Sequence, residues 1–256
     1  SDRPRKIEID FPRPCRAAVA TSRNAHAVVL FLGEESVFSG EAHSRADISL
    51  PGAQAELVRR IRATGKPVVA VIQAGRPLTL TNIVDNVDAI LFAWHPGTMG
   101  GPAIADLLFG VASPSGKLPA TFPRMVGQVP IYYNQKNTGK PPTPDTIAHI
   151  DDIDARAPQL SLGMTAFHLD AGYTPLFPFG HGLSYTTFEY GDLEITPRTT
   201  RDGNVEVSLD VTNTGDRAGA EVVQVYVADA HSPVPRPPKE LKGFAKVRLE
   251  PGETRR

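Results

Sequence analysis

Hydrophobic positions in the first hundred residues form three short continuous runs, each of which closes at a glycine. They are "HAVVLFLG" (26–33), "PVVAVIQAG" (67–75) and "DAILFAWHPG" (88–97). Apolar runs that are rich in β-branched residues and do not alternate with polar ones are typical of parallel strands covered on both faces. The pattern therefore predicts three such strands.

Amphipathic segments with a helical period fall between these runs. "RAAVATSRNA" precedes the first run, "GAQAELVRRIRATG" precedes the second, and "TMGGPAIADLLFG" follows the third. In the middle segment Leu57, Val58 and Ile61 share one face, and Gly65 is placed to end the helix. This alternation predicts an α/β fold with an open, mostly parallel sheet, helices on both faces and right-handed crossovers.

The pattern changes from about residue 112 onward. "SPSGKLPATFPRMVGQVPIYY" is rich in Pro and Gly and predicts short strands and turns, and residues 134–174 predict a long irregular loop, either functional or disordered. Alternation then returns in "VEVSLDVTNTGD", "AEVVQVYVADA" and "KGFAKVRLEPGE", which predict antiparallel strands. The remaining length is shorter than the ~100 residues of a complete sandwich, so we expect a truncated antiparallel β-sandwich.

Composition indicates a globular protein without a strongly charged partner. Hydrophobic residues make up 41% and charged residues 21% of the chain, with 27 Lys and Arg against 28 Asp and Glu. This balance argues against a nucleic-acid or membrane partner. The single Cys15 excludes an intrachain disulfide and is expected to pack in a helix; without a His pair at ligand spacing, we expect no metal and no cofactor. A start without Met and an end on a turn suggest a fragment.

Two glycine-rich stretches are superficially similar to anion-binding sites. "GVASPSGKL" separates Gly110 from Gly116 by five residues instead of four, and Leu118 stands where a P-loop needs Ser or Thr. "PGTMGGPAIAD" could hold an anion at a helix start, although close packing explains its glycines equally. Trp94 and His95 end the third strand. They either line a pocket or have a purely structural role in packing.

The charged stretch "VFSGEAHSRADISLPGAQ" (37–54) leaves the carboxyl end of the first strand, where open α/β sheets place ligand-handling residues. Glu41 stands between two small residues, so it could reach a ligand without obstruction. A general acid needs a raised pKa, from partial burial or a neighbouring negative charge. The alternative is a solvated acidic loop, which composition alone favours. The candidate neighbours are Glu34, Glu35 and Asp47, with Arg45 and His43 as groups that could fix the geometry.

Five segments, in order, resemble glycoside hydrolase family 3, particularly its bacterial periplasmic β-glucosidase branch. They are "VVLFLGEESVFSGEAHSRADISLP", "TGKPVVAVIQAGRPLTL", "DAILFAWHPGTMGGPAIADLLFG", "PSGKLPATFPRMVGQVPIYYNQKNTGKP" and "PFGHGLSYTTFEY". "VTNTGDRAGAEVVQVYV" and "RPPKELKGFAKVRLEPGET" resemble a fibronectin type III-like domain. The resemblance implies a family 3 C-terminal α/β sandwich domain over 1–190 and a partial fibronectin type III-like domain over 191–256.

The resemblance also implies an activity, that of a retaining, exo-acting β-glucosidase. The motif matched by "SGEAHSR" makes Glu41 the general acid/base, and Glu34 is the second choice. The family's aspartate nucleophile would lie in an upstream TIM-like barrel of about 250 residues, which this sequence does not contain. We therefore expect this chain alone to be inactive. The implied substrate-binding or supporting residues are His43, Arg45, Asp47 and Glu34.

The same resemblance implies the partners and the location of the protein. The partners would be a β-glucoside or oligosaccharide and the upstream barrel, with a homodimer left open, and the location would be periplasmic or secreted. "MTAFHLDAGYTPLFPFG" lacks the aromatic and Arg pattern of the family, so the resemblance does not extend to substrate contacts from 134–174, and the role of this loop stays open. Two alternatives are a non-catalytic carbohydrate-binding or structural module, and an α/β domain that binds a nucleotide or anion at "GTMGG".

Overall fold

The computed structural model describes residues 12–137, 139–159, 163–196 and 204–256. Three of the expectations above extend partly beyond these described ranges. The first eleven residues of the expected first domain, positions 138 and 160–162 of the long loop, and positions 197–203 of the expected second domain lie outside the described residues.

The first part of the chain is an α/β unit with three parallel strands. Its elements are α1 (Pro12–Ser22), β1 (Val28–Gly33), α2 (Gln54–Arg62), β2 (Val68–Gln73), α3 (Thr81–Val84), β3 (Ala89–Phe92) and α4 (Gly100–Leu108). The strands pair in the order β1-β2-β3, all parallel, with Val28 opposite Val68 and Val69 opposite Ala89. The predicted α/β fold with a parallel sheet is confirmed.

Strand β2 lies at the centre of the hydrophobic core. Val68, Ala70, Val71 and Ile72 are all completely buried, so both faces of β2 are covered, as its continuous apolar run predicts. Strand β1 differs, because its outward-facing Val29 and Phe31 are 41% and 63% exposed. A continuous apolar run shows that a strand can be covered on both faces, but not which segment covers it.

The helices follow the predicted amphipathic pattern. Val58 and Ile61 of α2 are buried, and Gly65 takes a φ of +74° just after the helix ends. Cys15 is buried in α1 as a free thiol. Helix α3 was not predicted, because four residues are too few to show a helical period. No helix within the described ranges has the length and apolarity that crossing a membrane requires.

The segment after α4 contributes one aromatic side chain to the core and otherwise runs irregularly. Phe122, only 1% exposed, bridges to Phe177 and meets the Phe92 ring edge-on at 4.9 Å between centroids. The described parts of 134–174 consist of turns, two short 3-10 helices and one isolated bridge. Pro and Gly therefore favour turns here, as the composition predicts.

The last part of the chain is antiparallel. Its strands are β4 (Phe188–Thr196), β5 (Glu206–Asn213), β6 (Gly219–Val227), β7 (Glu240–Leu249) and β8 (Thr254–Arg255). They form one sheet in the order β4-β5-β8 and a second sheet of β6 and β7. The predicted antiparallel strands are confirmed, and the boundary expected after residue 190 falls within β4.

Lys117 ties the two parts of the chain together. Its ammonium donates to the carbonyl of Gly182 at 2.8 Å and pairs with the carboxylate of Glu221 on β6 at 2.9 Å. Burial, together with the Glu221 charge, raises the pKa of the Tyr190 hydroxyl, which donates to the same carboxylate. Lys117, which is the lysine of the P-loop-like stretch, therefore takes part in a structural ion pair.

Asn213 is expected to be a main determinant of stability in the antiparallel part, because it is completely buried and every polar atom of its side chain is paired. Asn213→Leu should lower the free energy of unfolding by about 3 kcal/mol, since each buried polar group left unpaired costs roughly 1–3 kcal/mol. Its partners are the Thr186 hydroxyl, the Gly215 N–H, and the Arg217 and Leu249 carbonyls.

Urea denaturation of the chain measures this loss, and Asn24→Leu, at an exposed position, serves as the matched control. Equal midpoints for the two variants would show that the buried network does not contribute as described.

Candidate active site

The loop that carries the candidate acid begins at a position that only glycine can occupy. Gly33, at the end of β1, has a φ of +138°, and a Cβ there would lie 1.8 Å from the carbonyl oxygen of Gln73. The Gln54 side chain donates to the Gly33 carbonyl and accepts from its N–H, both at 2.8 Å. The start of the loop is therefore fixed against both β2 and α2.

The side chain of Glu34, the residue directly after this glycine, is completely buried. Its carboxylate pairs with Arg45 Nη1 at 2.5 Å and with Arg76 Nε at 3.0 Å, while its own side chain has no exposed surface. A buried charge is stable only when it is paired and hydrogen-bonded. Two guanidinium groups around one carboxylate leave an excess positive charge at the base of the loop.

The two arginines also hold the backbone of the loop. Arg76 donates through Nη2 to the carbonyl oxygens of Phe38 and His43, the latter at 3.0 Å. Arg45 donates through Nη2 to the Ser49 carbonyl at 3.0 Å. The loop is thus attached to the buried Glu34 carboxylate from two sides.

Asp47 closes a turn at the far end of the loop. Its carboxylate accepts from the Ser49 N–H at 2.9 Å. Hydrogen bonds from the Ser49 side chain and backbone lower the pKa of Asp47, because they stabilise its charged form. The hydrogen bonds between Asp47 and Ser49 therefore close a local turn.

Glu41 stands at the tip of the loop, in a tight turn closed by the His43 N–H and the Gly40 carbonyl at 3.1 Å. The next residue, Ala42, has a φ of +62°, a region that costs a non-glycine residue about 1–2 kcal/mol. Such strain is frequent at functional sites. Glu41 is exposed, and its carboxylate has no hydrogen bond or ion pair with any residue that the structure describes. It is free to contact a ligand.

The ends of the other two strands meet this loop. His95, after β3, contacts the Ser39 hydroxyl through Nε2 at 3.3 Å. Gly75, after β2, lies beneath both groups: a Cβ there would come within 2.3 Å of Ser39 Oγ and 2.6 Å of His95 Nε2. Trp94 has a φ of +52°, and its ring packs edge-on against Phe92 at 4.7 Å between centroids. All three carboxyl ends therefore converge at one site.

The structure divides the expected residues into two groups. Glu34 and Arg45 belong to the buried ion-pair cluster, and the carbonyl of His43 accepts a hydrogen bond from the same cluster. Glu41 lies outside this cluster. The burial of Glu34 argues against Glu34 as the general acid. Because Glu34 is paired with two arginines, the negative charge that it was expected to place near Glu41 is offset. Arg76 was not predicted as a site residue. It directly follows the glycine that closes the second apolar run, just as Glu34 follows the glycine that closes the first, and this shared position could have identified it.

One glycine at the start of α4, Gly100, has a packing explanation, whereas nothing lies within 4 Å of a Cβ on Gly101. A Cβ on Gly100 would lie 2.7 Å from the Pro96 side chain, so the glycine permits a close contact within the protein itself. Within the described ranges, no three His, Cys, Asp or Glu side chains are grouped to hold a metal ion.

Comparison with known proteins places both parts of the chain in recognised families. Residues 9–185 match the glycosyl hydrolase family 3 C-terminal domain, and residues 221–256 match a fibronectin type III-like domain. The chain is 45% identical to the periplasmic beta-glucosidase of Salmonella typhimurium over 252 residues, which covers 96% of the chain and 31% of that protein. It is 43% identical to a beta-xylosidase of Formosa agariphila, over 93% of the chain and 30% of that protein.

A solved structure agrees in fold as well as in sequence. The β-glucosidase of Listeria innocua in complex with isofagomine superposes with a TM-score of 0.85 at 39% identity, covering 95% of this chain and 32% of that one. The chain therefore spans about a third of the length of the relatives it matches.

Gly75→Ala is expected to disturb the site, because the added Cβ has to displace Ser39 and His95. Overpacking of this kind typically costs about 1–3 kcal/mol of unfolding free energy. Urea denaturation measures the loss, and Gly116→Ala is the control, since nothing lies within 4 Å of a Cβ there. A loss no larger than that of the control would contradict the close contact of the three strand ends.

Proposed function

The chain belongs to glycoside hydrolase family 3, and we propose that it is the C-terminal part of a retaining, exo-acting β-glucosidase in which Glu41 is the general acid/base. The carrying observation is the Glu41 carboxylate itself: it is exposed, has no partner among the described residues, and lies in a loop anchored through the buried Glu34 side chain. The β-glucosidases among its relatives support the choice of reaction.

In the proposed mechanism Glu41 acts in both steps. It first donates its proton to the glycosidic oxygen while an aspartate attacks the anomeric carbon, and as a carboxylate it then takes a proton from the water that releases the sugar. In a retaining enzyme the two carboxyl groups stand about 5–5.5 Å apart. Such a role requires a carboxyl group that can reach the substrate, and the Glu34 side chain has no exposed surface. The partial burial that a general acid needs would come from the bound substrate and the barrel, because Glu41 is exposed in this chain.

The nucleophile is proposed to lie in an upstream TIM-like barrel, which would also bind most of the terminal sugar. Residues 1–190 would form the domain that carries the acid over the barrel mouth, and residues 191–256 part of the fibronectin type III-like domain. We take β-glucosides as the substrates and, since one relative is named periplasmic, an exported location. Separate assays with aryl β-glucosides and aryl β-xylosides test the sugar, because a β-xylosidase is also similar.

Glu41→Gln in the full-length enzyme is expected to slow hydrolysis according to the leaving group. General acid catalysis contributes typically about 10²–10⁴-fold, so cellobiose and alkyl β-glucosides should lose a factor of that order in kcat/KM. A dinitrophenyl β-glucoside should lose far less in kcat/KM, because its phenolate leaves without a proton.

Glu35→Gln is the matched control, since Glu35 is an exposed glutamate of the same loop, and its rates should stay close to those of the unchanged enzyme. An equal loss for all leaving groups in Glu41→Gln would indicate that the loop is displaced and that Glu41 does not act as an acid.

The isolated 256-residue chain is expected to leave p-nitrophenyl β-glucoside intact, because it holds one of the two catalytic carboxyl groups. Adding a separately expressed family 3 barrel domain tests for recovery, with Glu41→Gln in the chain as the control. Hydrolysis by the purified chain alone, with a specific activity that stays constant through successive chromatography steps, would contradict the assignment of the nucleophile to a separate barrel.

A further inference from the structure

We propose that Arg76 is a positioning residue for Glu41: its guanidinium joins the buried Glu34 carboxylate to the backbone on both sides of the turn that presents Glu41. This inference rests on the proposed function, because it concerns how the acid is held. Arg76 lies three residues after the end of β2 and has no hydrogen bond or ion pair with the Glu41 side chain, so it would act through the loop backbone.

The contacts of Arg76 surround Glu41 in the sequence. Nε donates to Glu34 at 3.0 Å, and Nη2 donates to the carbonyls of Phe38 and of His43, the latter at 3.0 Å. Phe38 precedes Glu41 by three residues and His43 follows it by two. One rigid group therefore sets the separation and orientation of the two ends of the turn.

A guanidinium group is suited to this task in a way that an ammonium group is not. It presents five N–H donors in a fixed plane, whereas lysine offers a single nitrogen at the end of a flexible chain. A lysine at position 76 can neutralise Glu34, but it cannot reproduce the fork that reaches Glu34 and two separate carbonyl oxygens. Arg76→Lys therefore removes the positioning and keeps the charge.

The turn needs such support because it has little of its own. Glu41 is exposed and unpaired within the described structure, and Ala42 holds a strained φ of +62°. The contact between Ser39 and His95 remains as a second attachment on one side only. Without Arg76, the turn can relax, and the carboxyl group moves away from the position at which it protonates the leaving oxygen.

Arg45 offers a matched comparison within the same cluster. It pairs with the same carboxylate, but its second hydrogen bond goes to the Ser49 carbonyl, outside the Glu41 turn. Its contact with the turn is with the Phe38 ring, whose centroid lies 6.0 Å from the guanidinium carbon, and not with a backbone carbonyl. Arg45→Lys therefore also perturbs the buried ion pair, but it leaves the two carbonyls beside Glu41 held by Arg76.

The experiment compares both variants in the full-length enzyme with two substrates, cellobiose and a dinitrophenyl β-glucoside. The measured quantity is the ratio of kcat/KM for the activated substrate to that for cellobiose. Both rates come from one preparation, so the ratio does not depend on the fraction of the enzyme that is folded. Glu41→Gln is included to establish how far the ratio rises when the acid itself is lost.

Arg76→Lys is expected to raise this ratio about tenfold, part of the roughly 10²-fold loss that a misplacement of 1 Å can cause. Arg45→Lys is expected to keep the ratio of the unchanged enzyme. An unchanged ratio in Arg76→Lys, or an equal rise in both variants, would overturn the role of Arg76. If Glu41→Gln also leaves the ratio unchanged, the assignment of Glu41 as the acid fails instead.

Discussion

A carboxylate without access to water has to be paired, and at Glu34 this requirement decides the course of the loop that follows β1. One of its partners, Arg76, comes from the end of β2, and the other, Arg45, comes from the loop itself. Removing one partner of a buried ion pair costs about 3–5 kcal/mol, so the loop has one strongly preferred path. That path leaves Glu41 exposed, between the two backbone carbonyls that Arg76 holds.

Two glutamates seven residues apart thus have opposite environments. Glu34 is buried and ion-paired, and Glu41 is exposed and free of partners among the described residues. Division of roles between neighbouring carboxyl groups by their surroundings is a general feature of acid–base sites. Glycines at the strand ends make the arrangement compact, since Gly33 and Gly75 admit contacts that any Cβ would prevent.

Much of this organisation follows from the sequence, for identifiable reasons. The continuous apolar runs predicted β1, β2 and β3 because burial on two faces removes alternation, and the spacing of Val58 and Ile61 predicted α2. The pairing of Glu34 with Arg76 could not be predicted, because it joins residues 42 positions apart through the packing of two strands. The exposed face of Phe31 was also missed, since a pattern records hydrophobicity and not the neighbour that covers it.

The central claim, that Glu41 is the acid/base of a retaining reaction, is tested most directly by the product that full-length Glu41→Ala forms from a dinitrophenyl β-glucoside in the presence of azide. The activated leaving group needs no acid, and azide attacks the glycosyl-enzyme without a base. The account predicts β-glucosyl azide, with the configuration of the substrate retained and the rate restored by azide. Formation of α-glucosyl azide, or of glucose alone at an undiminished rate, would contradict it.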